Sequence, residues 1–283
     1  MTAVLSGTRH IWLCADDYGI SPAVNAGIRE LISRGRLNAT SVMMVTPHLT
    51  AEEAGALSRL NAGKKRAAIG LHVTLTAPFA PMSQGFAPVR YGRFLPNTQK
   101  MRMGIMQRLD PRQLALEIAT QLRAFIQAFG RPPDFVDGHQ HVHLVPQVRG
   151  AVLKVVAEIA PRAWVRQCGR ARGARRMRDA KALTLDVLSV GLRSAARRKG
   201  IATNPAFAGA YDFKIKTPFD KIFPRFLEGL PEGGVVMCHP GHVDAALKAL
   251  DPLTDQRERE FAYFNSDEFP RALAAHGLAL AAP

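Results

Sequence analysis

The sequence predicts an α/β fold in which a parallel sheet is built from βαβ units. Short apolar runs alternate with longer amphipathic segments throughout the 283 residues, a pattern typical of parallel strands joined by helices. The strand runs number about seven, which suits a TIM-barrel-like (β/α) barrel that is incomplete or distorted. A doubly wound open sheet is the alternative. It is disfavoured because no GxGxxG follows the first strand and no GxxxxGK[ST] is present.

Local signals place each element in turn. The first strand is predicted at residues 10–15, and the helix after it begins at Ser21-Pro22, where Ser can cap and Pro fits the first turn. That helix ends at Gly35. Residues 78–107 lack a clean period and predict a long loop, a feature that is usually functional or mobile. The other strands are predicted at 40–45, 67–76, 135–138, 164–166, 234–238 and 278–281, and the other helices at 50–61, 110–129, 146–160, 178–199, 217–229, 254–263 and 267–276.

Composition and length limit the class of protein. No linker, repeat or low-complexity stretch divides the chain, so residues 1–283 are expected to form a single domain. No apolar run reaches the roughly 18–20 residues that span a bilayer, which argues against an integral membrane protein. The first fourteen residues lack the pattern of a secretory signal, and the three cysteines form no CxxC pair. A cytoplasmic setting is therefore expected.

The net charge of +15 is unevenly distributed. Residues 162–199 hold twelve Lys and Arg against two Asp, a surplus of +10. Such a region can attract phosphates, nucleic acid or an anionic membrane surface, whereas the plainer interpretation is a solvated helical face. No zinc finger, aromatic RNA motif or helix-turn-helix signature accompanies it. We therefore expect no nucleic-acid partner, and association with a membrane surface through this region stays open.

Polar residues lie where several predicted strands end. In a parallel barrel all the carboxyl ends of the strands open on one face, where active sites lie. Taken alone, the Asp pair could cap a helix and a single His could be a core residue. Taken together, they favour a metal site. The residues are Asp16 and Asp17 after the first strand, His72 in the third, the segment from Asp137 to His143, Arg166, and His239.

The segment from Asp137 to His143 is a moderately strong metal signal, with three His at alternate positions after an Asp. If the segment is extended, neighbouring imidazoles stand about 6.6 Å apart along it. One or two of them would then bind a metal, while the others would support those ligands from behind as hydrogen-bond partners. One Asp and two His would leave a coordination position open for water, as catalytic sites do. Zinc suits these donors because imidazole is a softer ligand than oxygen, and magnesium is also compatible.

Two adjacent aspartates suit metal-assisted hydrolysis. A carboxylate on a metal loses much of its basicity, whereas its neighbour keeps it and can take a proton from water. A histidine from a distant strand can then protonate a leaving group. The expected reaction uses separate base and acid.

These motifs resemble those of the YdjC-like carbohydrate deacetylases, the family that also includes the hopanoid-associated deacetylases. The matching stretches lie between residues 11 and 241, most of the chain. They are Ala15-Asp16-Asp17-Tyr18-Gly19-Ile20-Ser21 with Asn25 and Gly27-Ile28, Thr40-Ser41, Ile69-Gly70-Leu71-His72, Asp137-Gly138-His139-Gln140-His141-Val142-His143, and Met237-Cys238-His239-Pro240-Gly241.

The resemblance implies a TIM-barrel-like fold, one divalent metal ion (magnesium or zinc) and hydrolytic removal of the acetyl group from an N-acetylated amino sugar. It also implies a homodimer. One departure is Gln140, where the family commonly has a further His. By position, the resemblance assigns metal binding to Asp17, His72 and His139, the catalytic base to Asp16, the general acid to His239, a site-lining and base-orienting role to Arg166, and supporting roles to His141 and His143.

Several alternatives stay open. The substrate could be an oligosaccharide, a monosaccharide derivative or a lipid-linked amino sugar. A metal-dependent phosphoesterase is the alternative enzyme, and it would need two metals and more carboxylates. From a different class, the chain could be a basic nucleic-acid-binding protein with a non-catalytic metal site, whose affinity would fall steeply with salt.

Overall fold

The structure is a computed structural model and describes residues 7–64, 66–171, 180–213 and 217–283. The strands are β1 (Arg9–Tyr18), β2 (Ala39–Val42), β3 (Ala68–Val73), β4 (Val89–Arg90), β5 (Arg93–Phe94), β6 (Phe135–Gly138), β7 (Trp164–Val165), β8 (Phe207–Ala208), β9 (Val235–Cys238) and β10 (Leu278–Leu280). The α-helices are α1 (Pro22–Ser33), α2 (Ala51–Arg59), α3 (Asn97–Ile105), α4 (Pro111–Phe129), α5 (Pro146–Ile159), α6 (Ala180–Arg198), α7 (Phe219–Leu227), α8 (Ala245–Leu250), α9 (Asp255–Asn265) and α10 (Glu268–Ala275), and a 3₁₀ helix covers His139–Leu144.

The large sheet is parallel and curled, with helices packed around it. Its strand order is β7-β6-β3-β2-β1-β9-β8, and β10 pairs with β1 beside this path. Each end strand bonds to a loop next to the other end strand, from Val165 N to Ala202 O and from Phe207 N to Gly169 O, both at 2.9 Å, whereas β7 and β8 do not pair with each other. The predicted TIM-barrel-like fold, incomplete and distorted, is confirmed.

The helix boundaries follow from local chemistry. The Ser21 side chain accepts a hydrogen bond from Val24 N, and Pro22 fills the first position of α1. Asp110 caps α4 in the same way, and Gly130 ends that helix in the left-handed conformation at φ +66°. The apolar stripes of both helices are buried against the sheet. The carboxyl ends of the strands are thereby held in fixed positions.

A glycine allows close packing between β3, β6 and β7. Phe135 stacks on Trp164 with ring centroids 4.6 Å apart. A Cβ atom at Gly70 would lie 2.4 Å from the Phe135 ring, so only glycine leaves room for it. The strands that carry Gly70 and Phe135, β3 and β6, are fully buried, which is expected for a sheet covered by helices.

The predicted loop at 78–107 is wrong in part, since it contains the antiparallel pair β4–β5 and α3. The strands span two residues each, too few to show a period. Lys100 of α3 is buried, and its ammonium lies 5.0 Å from the Phe86 ring and 5.5 Å from the Phe94 ring. These contacts tie the segment to the core.

Two other short elements, β8 and α8, are not predicted from the sequence. The start of the helix predicted at 178–199 and the basic residues at 172–178 lie outside the described residues. Within the part of the chain that the structure describes, no helix is long and apolar enough to cross a membrane.

Candidate metal-dependent active site

A bulge at the end of β1 directs two consecutive carboxylates toward one cavity. The pairing of β1 with β2 shifts register between Ala15 and Tyr18, and Asp17 has φ +69°. Successive strand side chains normally point to opposite faces, whereas a bulge re-aims one of them. Asp16 and Asp17 therefore both line a cavity of about 690 Å³. A non-glycine residue at positive φ is costly and is typical of functional sites.

Three buried side chains bring metal donors together. Asp17 Oδ1 lies 3.3 Å from His72 Nε2 and 3.0 Å from His139 Nδ1, and all three donors lie within 4.8 Å of one another. An ion bonded at about 2.0–2.2 Å to each donor needs donor separations of about 3 Å. One carboxylate and two imidazoles are also a donor set that divalent metals bind at catalytic sites. The residues therefore fit a divalent metal ion.

Asp137 orients the His72 ring. Its Oδ1 lies 2.6 Å from His72 Nδ1, and Ser41 Oγ lies 3.0 Å from the same nitrogen. Burial opposes protonation of His72, but the charges of Asp137 and Asp16 outweigh it and raise the pKa to about 10. With Nδ1 held by Asp137, the Nε2 atom faces Asp17. A carboxylate behind a histidine ligand is the usual way to fix its ring orientation.

Arg257 holds the other oxygen of Asp17. Its Nη2 atom donates to Asp17 Oδ2 and to Asp251 Oδ2, each at 2.7 Å. Burial disfavours the charged form of Asp17, yet His139 and Arg257 hold its pKa well below the ordinary value. Asp17 is therefore ionised, with Oδ2 bonded to Arg257 and Oδ1 directed toward the imidazoles.

Arg166 forms a two-pronged ion pair with Asp16. Its Nη1 and Nη2 atoms donate to the two carboxylate oxygens at 2.6 and 2.7 Å, and Nη1 lies 2.9 Å from Asp137 Oδ2. Burial raises the pKa of Asp16, but the Arg166 charge outweighs burial and lowers it below the ordinary value. Asp16 is therefore an ionised carboxylate of fixed orientation.

A second group of potential donors surrounds the same guanidinium. Cys14, Asp16 and Asp137 also lie within 4.8 Å of one another. Because Arg166 already pairs with both carboxylates, a second cation at this position would meet strong repulsion. Within the described residues, the geometry favours one ion rather than two.

His239 lies on the other side of Asp17. Its Nε2 atom is 4.0 Å from Asp17 Oδ2, and its backbone N–H donates to Glu260 Oε2 at 2.6 Å. Burial lowers the pKa of His239 to about 4, even though Asp17 acts in the opposite direction. Glu260 also accepts from the Tyr211 hydroxyl at 2.6 Å, and burial raises the Glu260 pKa to about 7.

The histidine segment is not extended, so the predicted geometry of that segment is wrong. It forms the 3₁₀ helix His139–Leu144, with Gln140 and His141 at φ +52° and +59°. His139 faces Asp17, whereas His143 Nε2 lies 2.7 Å from Arg166 O. His141 Nδ1 lies 3.5 Å from Cys168 Sγ. One of the three imidazoles thus joins the donors, and the other two contact the residues around Arg166.

The structure places all the predicted site residues around the cavity or directly beside it, and their chemical roles stay predictions. Sequence analysis missed Arg257 and Glu260, which are fully buried and lie three residues apart on α9. Alternating charges on a helix ordinarily indicate a solvated face. Asp137 had been noted only as the start of the histidine motif.

Comparisons with known proteins agree with this arrangement. A model of the YdjC-like protein family matches residues 10–275. The chitooligosaccharide deacetylase of Yersinia pestis (strain Pestoides F) is 28% identical over 278 residues, 94% of each chain. That of Escherichia fergusonii (strain ATCC 35469) is 27% identical over 237 residues, which cover 83% of this chain and 82% of the relative.

Solved structures show a similar fold. A protein from Enterococcus faecalis V583 described as a cellobiose-phosphate cleavage protein superposes with a TM-score of 0.72 at 23% identity, covering 97% of both chains. The Bc1960 peptidoglycan N-acetylglucosamine deacetylase gives 0.52 at 10% identity, covering 98% of this chain and 87% of the other. At these identities the likeness is one of fold.

Proposed function

The chain belongs to the YdjC-like family, and we propose that it is a metal-dependent carbohydrate deacetylase. Its reaction is hydrolysis of the acetamide of an N-acetylated amino sugar. The observation that supports this most directly is the buried donor set of Asp17, His72 and His139, which shares one cavity with Asp16 and His239. The relatives' role as chitooligosaccharide deacetylases favours an oligosaccharide substrate.

Asp17, His72 and His139 would hold one divalent ion, zinc or magnesium. When bound, the ion supplies a Lewis acid that polarises the acetyl carbonyl and lowers the pKa of water. The two imidazoles suit zinc better than magnesium, which prefers oxygen donors.

Asp16 is the proposed base, which takes a proton from the attacking water. Arg166 bonds to both of its oxygens, and Oδ1 also accepts from Ser41 Oγ at 3.3 Å, so the second lone pair of Oδ2 is proposed to accept the proton. The lowered pKa of Asp16 keeps it ionised, while the same pairing with Arg166 makes it a weaker base than a free carboxylate. Arg166 contributes by fixing where the carboxylate points.

His239 is the proposed acid, which protonates the departing amine. Its pKa of about 4 leaves the ring neutral at rest, so it must gain a proton during the reaction. The proton that Asp16 takes from water must pass to His239 before the C–N bond breaks, and His239 then delivers it to the amine nitrogen. The Phe213 ring packs nearly perpendicular to the His239 ring, with centroids 5.2 Å apart, and limits how that ring can turn.

The test is acetate release from a series of N-acetylated chito-oligosaccharides, with and without a chelator. Asp16→Asn should keep its metal content yet lose turnover about 10²–10⁴-fold, the usual contribution of a general base. Near-normal acetate release from this variant would reject the base assignment. Activity that persists after metal removal would reject the proposed metal dependence.

No observation favours the phosphoesterase or the nucleic-acid-binding protein. The second donor group that a two-metal phosphoesterase would need is paired with Arg166. Elemental analysis that finds two ions per chain would reopen that alternative.

We also propose that residues 1–283 act as one catalytic domain, supported by the pairing of β1 with both β2 and β10.

A further inference from the structure

Helix α6 presents a row of apolar side chains to solvent. Leu183, Val187 and Val190 are 50%, 72% and 57% exposed, and their spacing of four and three residues aligns them along one side of the helix. The opposite side, which includes Leu185 and Leu192, is buried. We call the three exposed residues the α6 stripe.

Positive charge lies at the carboxyl end of this stripe. Arg197, Arg198 and Lys199 are all exposed. Arg149 of α5 lies close by, since its guanidinium occupies the space where a Cβ atom at Gly191 of α6 would stand; burial and then the charge of Arg198 lower its pKa. A region of this kind attracts anions, because a bound anion offsets the repulsion between neighbouring positive charges.

No free negative charge balances this face within the described residues of α6. The acidic residue of this helix is Asp186, whose carboxylate accepts a hydrogen bond from the Arg170 guanidinium at 2.8 Å. The surrounding sequence adds to the imbalance, since residues 162–199 carry a surplus of +10. The stripe therefore combines exposed apolar surface with a net positive border.

We propose that the α6 stripe and its basic end dock on an anionic lipid surface. Aliphatic side chains can enter the boundary between headgroups and acyl chains while arginines and lysines contact acidic headgroups. This pairing of features matches a bilayer surface, and neither feature alone would specify it.

Two other partners fit the α6 stripe less well. Nucleic acid would satisfy the cations but offers phosphates, not apolar surface, to Leu183, Val187 and Val190. A second copy packed symmetrically on the stripe would bring two basic ends together, in a chain with a net charge of +15. Charge complementarity therefore favours the anionic bilayer.

The test is co-sedimentation of the full chain with vesicles of phosphatidylcholine, either alone or mixed with phosphatidylglycerol. Binding should require the anionic lipid and weaken as salt rises. Arg198→Glu should weaken binding at least fivefold, since one charge near such a surface contributes about 1 kcal/mol. Leu183→Gln and Val187→Gln should each weaken it severalfold, since both remove buried apolar contact.

Matched controls come from α4, which carries the same exposed residue types. Leu116 is also 50% exposed, and Arg123 is exposed on the same helix. Leu116→Gln and Arg123→Glu should leave vesicle binding within about twofold of the wild type, because neither residue contacts the lipid in the proposed docking. Melting curves of all variants confirm that each is folded.

Three results would overturn the proposal. The first is equal binding to neutral and anionic vesicles, or no binding to either. The second is equal loss from the α6 variants and their α4 controls. The third is a dimer in sedimentation equilibrium that Val187→Gln dissociates. Because vesicle binding is measured without substrate, its failure is independent of whether the protein deacetylates sugars.

Discussion

Substitution of Asp137 by Asn tests whether His72 is a metal ligand. The Asp137 carboxylate lies 2.6 Å from His72 Nδ1, and both side chains are almost completely buried. Asn preserves the shape and can still accept through its carbonyl oxygen, but it removes the negative charge. Arg166 keeps its two bonds to Asp16 but loses the charged Asp137 Oδ2, which lies 2.9 Å from its Nη1 atom.

The size of the effect follows from the role of the carboxylate. Loss of a partner that orients a metal-binding histidine typically lowers metal affinity 10–100-fold, or about 1.4–2.7 kcal/mol. The lost charge acts in the same direction, because an anion behind His72 raises its basicity and attracts the cation. Both effects predict weaker binding, and we expect a loss of at least tenfold.

Affinity is measured by titrating the metal-free protein with Zn²⁺ in competition with a chromogenic chelator. The matched control is Asp134→Asn, which makes the same change beside the other end of β6, where the carboxylate accepts from Ile69 N at 2.7 Å. The control should bind Zn²⁺ like the wild type. If Asp137→Asn binds Zn²⁺ within about twofold of the wild type, the assignment of His72 as a ligand is wrong.

Two further predictions concern stability. The pKa of Glu260 is about 7 when folded instead of 4.5, so between these values the folded state holds a proton that the unfolded state has lost. Relative to Glu260→Gln, the wild type should therefore lose about 3 kcal/mol as pH rises through this window, because His239 and the other titrating groups act in both proteins; equal pH slopes in urea unfolding would contradict this. Gly209→Ala should cost about 2–5 kcal/mol, because φ is +101° and the new Cβ would lie 2.1 Å from Met237 O. Gly130→Ala, at φ +66° in open space, should cost about 1–2 kcal/mol in the same assay, and equal costs would refute the close approach.

The barrel-like fold and the position of the cavity were predictable because each depends on a local pattern. Apolar runs marked β1, β3, β6 and β9, and the polar residues after them had to meet at one edge of a parallel sheet. The prediction needed only the strand order of a barrel, with no knowledge of individual contacts.

The missed features depend on contacts between distant segments. Arg257 and Glu260 are separated by about 240 and 50 residues from the partners Asp17 and Tyr211, and nothing near them in sequence signals burial. The bend in the histidine segment was hidden for another reason. Gln140 and His141 adopt positive φ without a glycine to mark the turn.

The pairing of Arg257 with Asp17 joins the last part of the polypeptide to the first, across 240 positions. During synthesis, Asp17 leaves the ribosome long before its partner Arg257 has been made. Such distant pairings fold slowly, and the earlier part of the chain would wait with the Asp17 carboxylate still without this arginine. A fragment that stops before α9 should therefore retain much of the sheet sequence and yet lack a stable reaction centre.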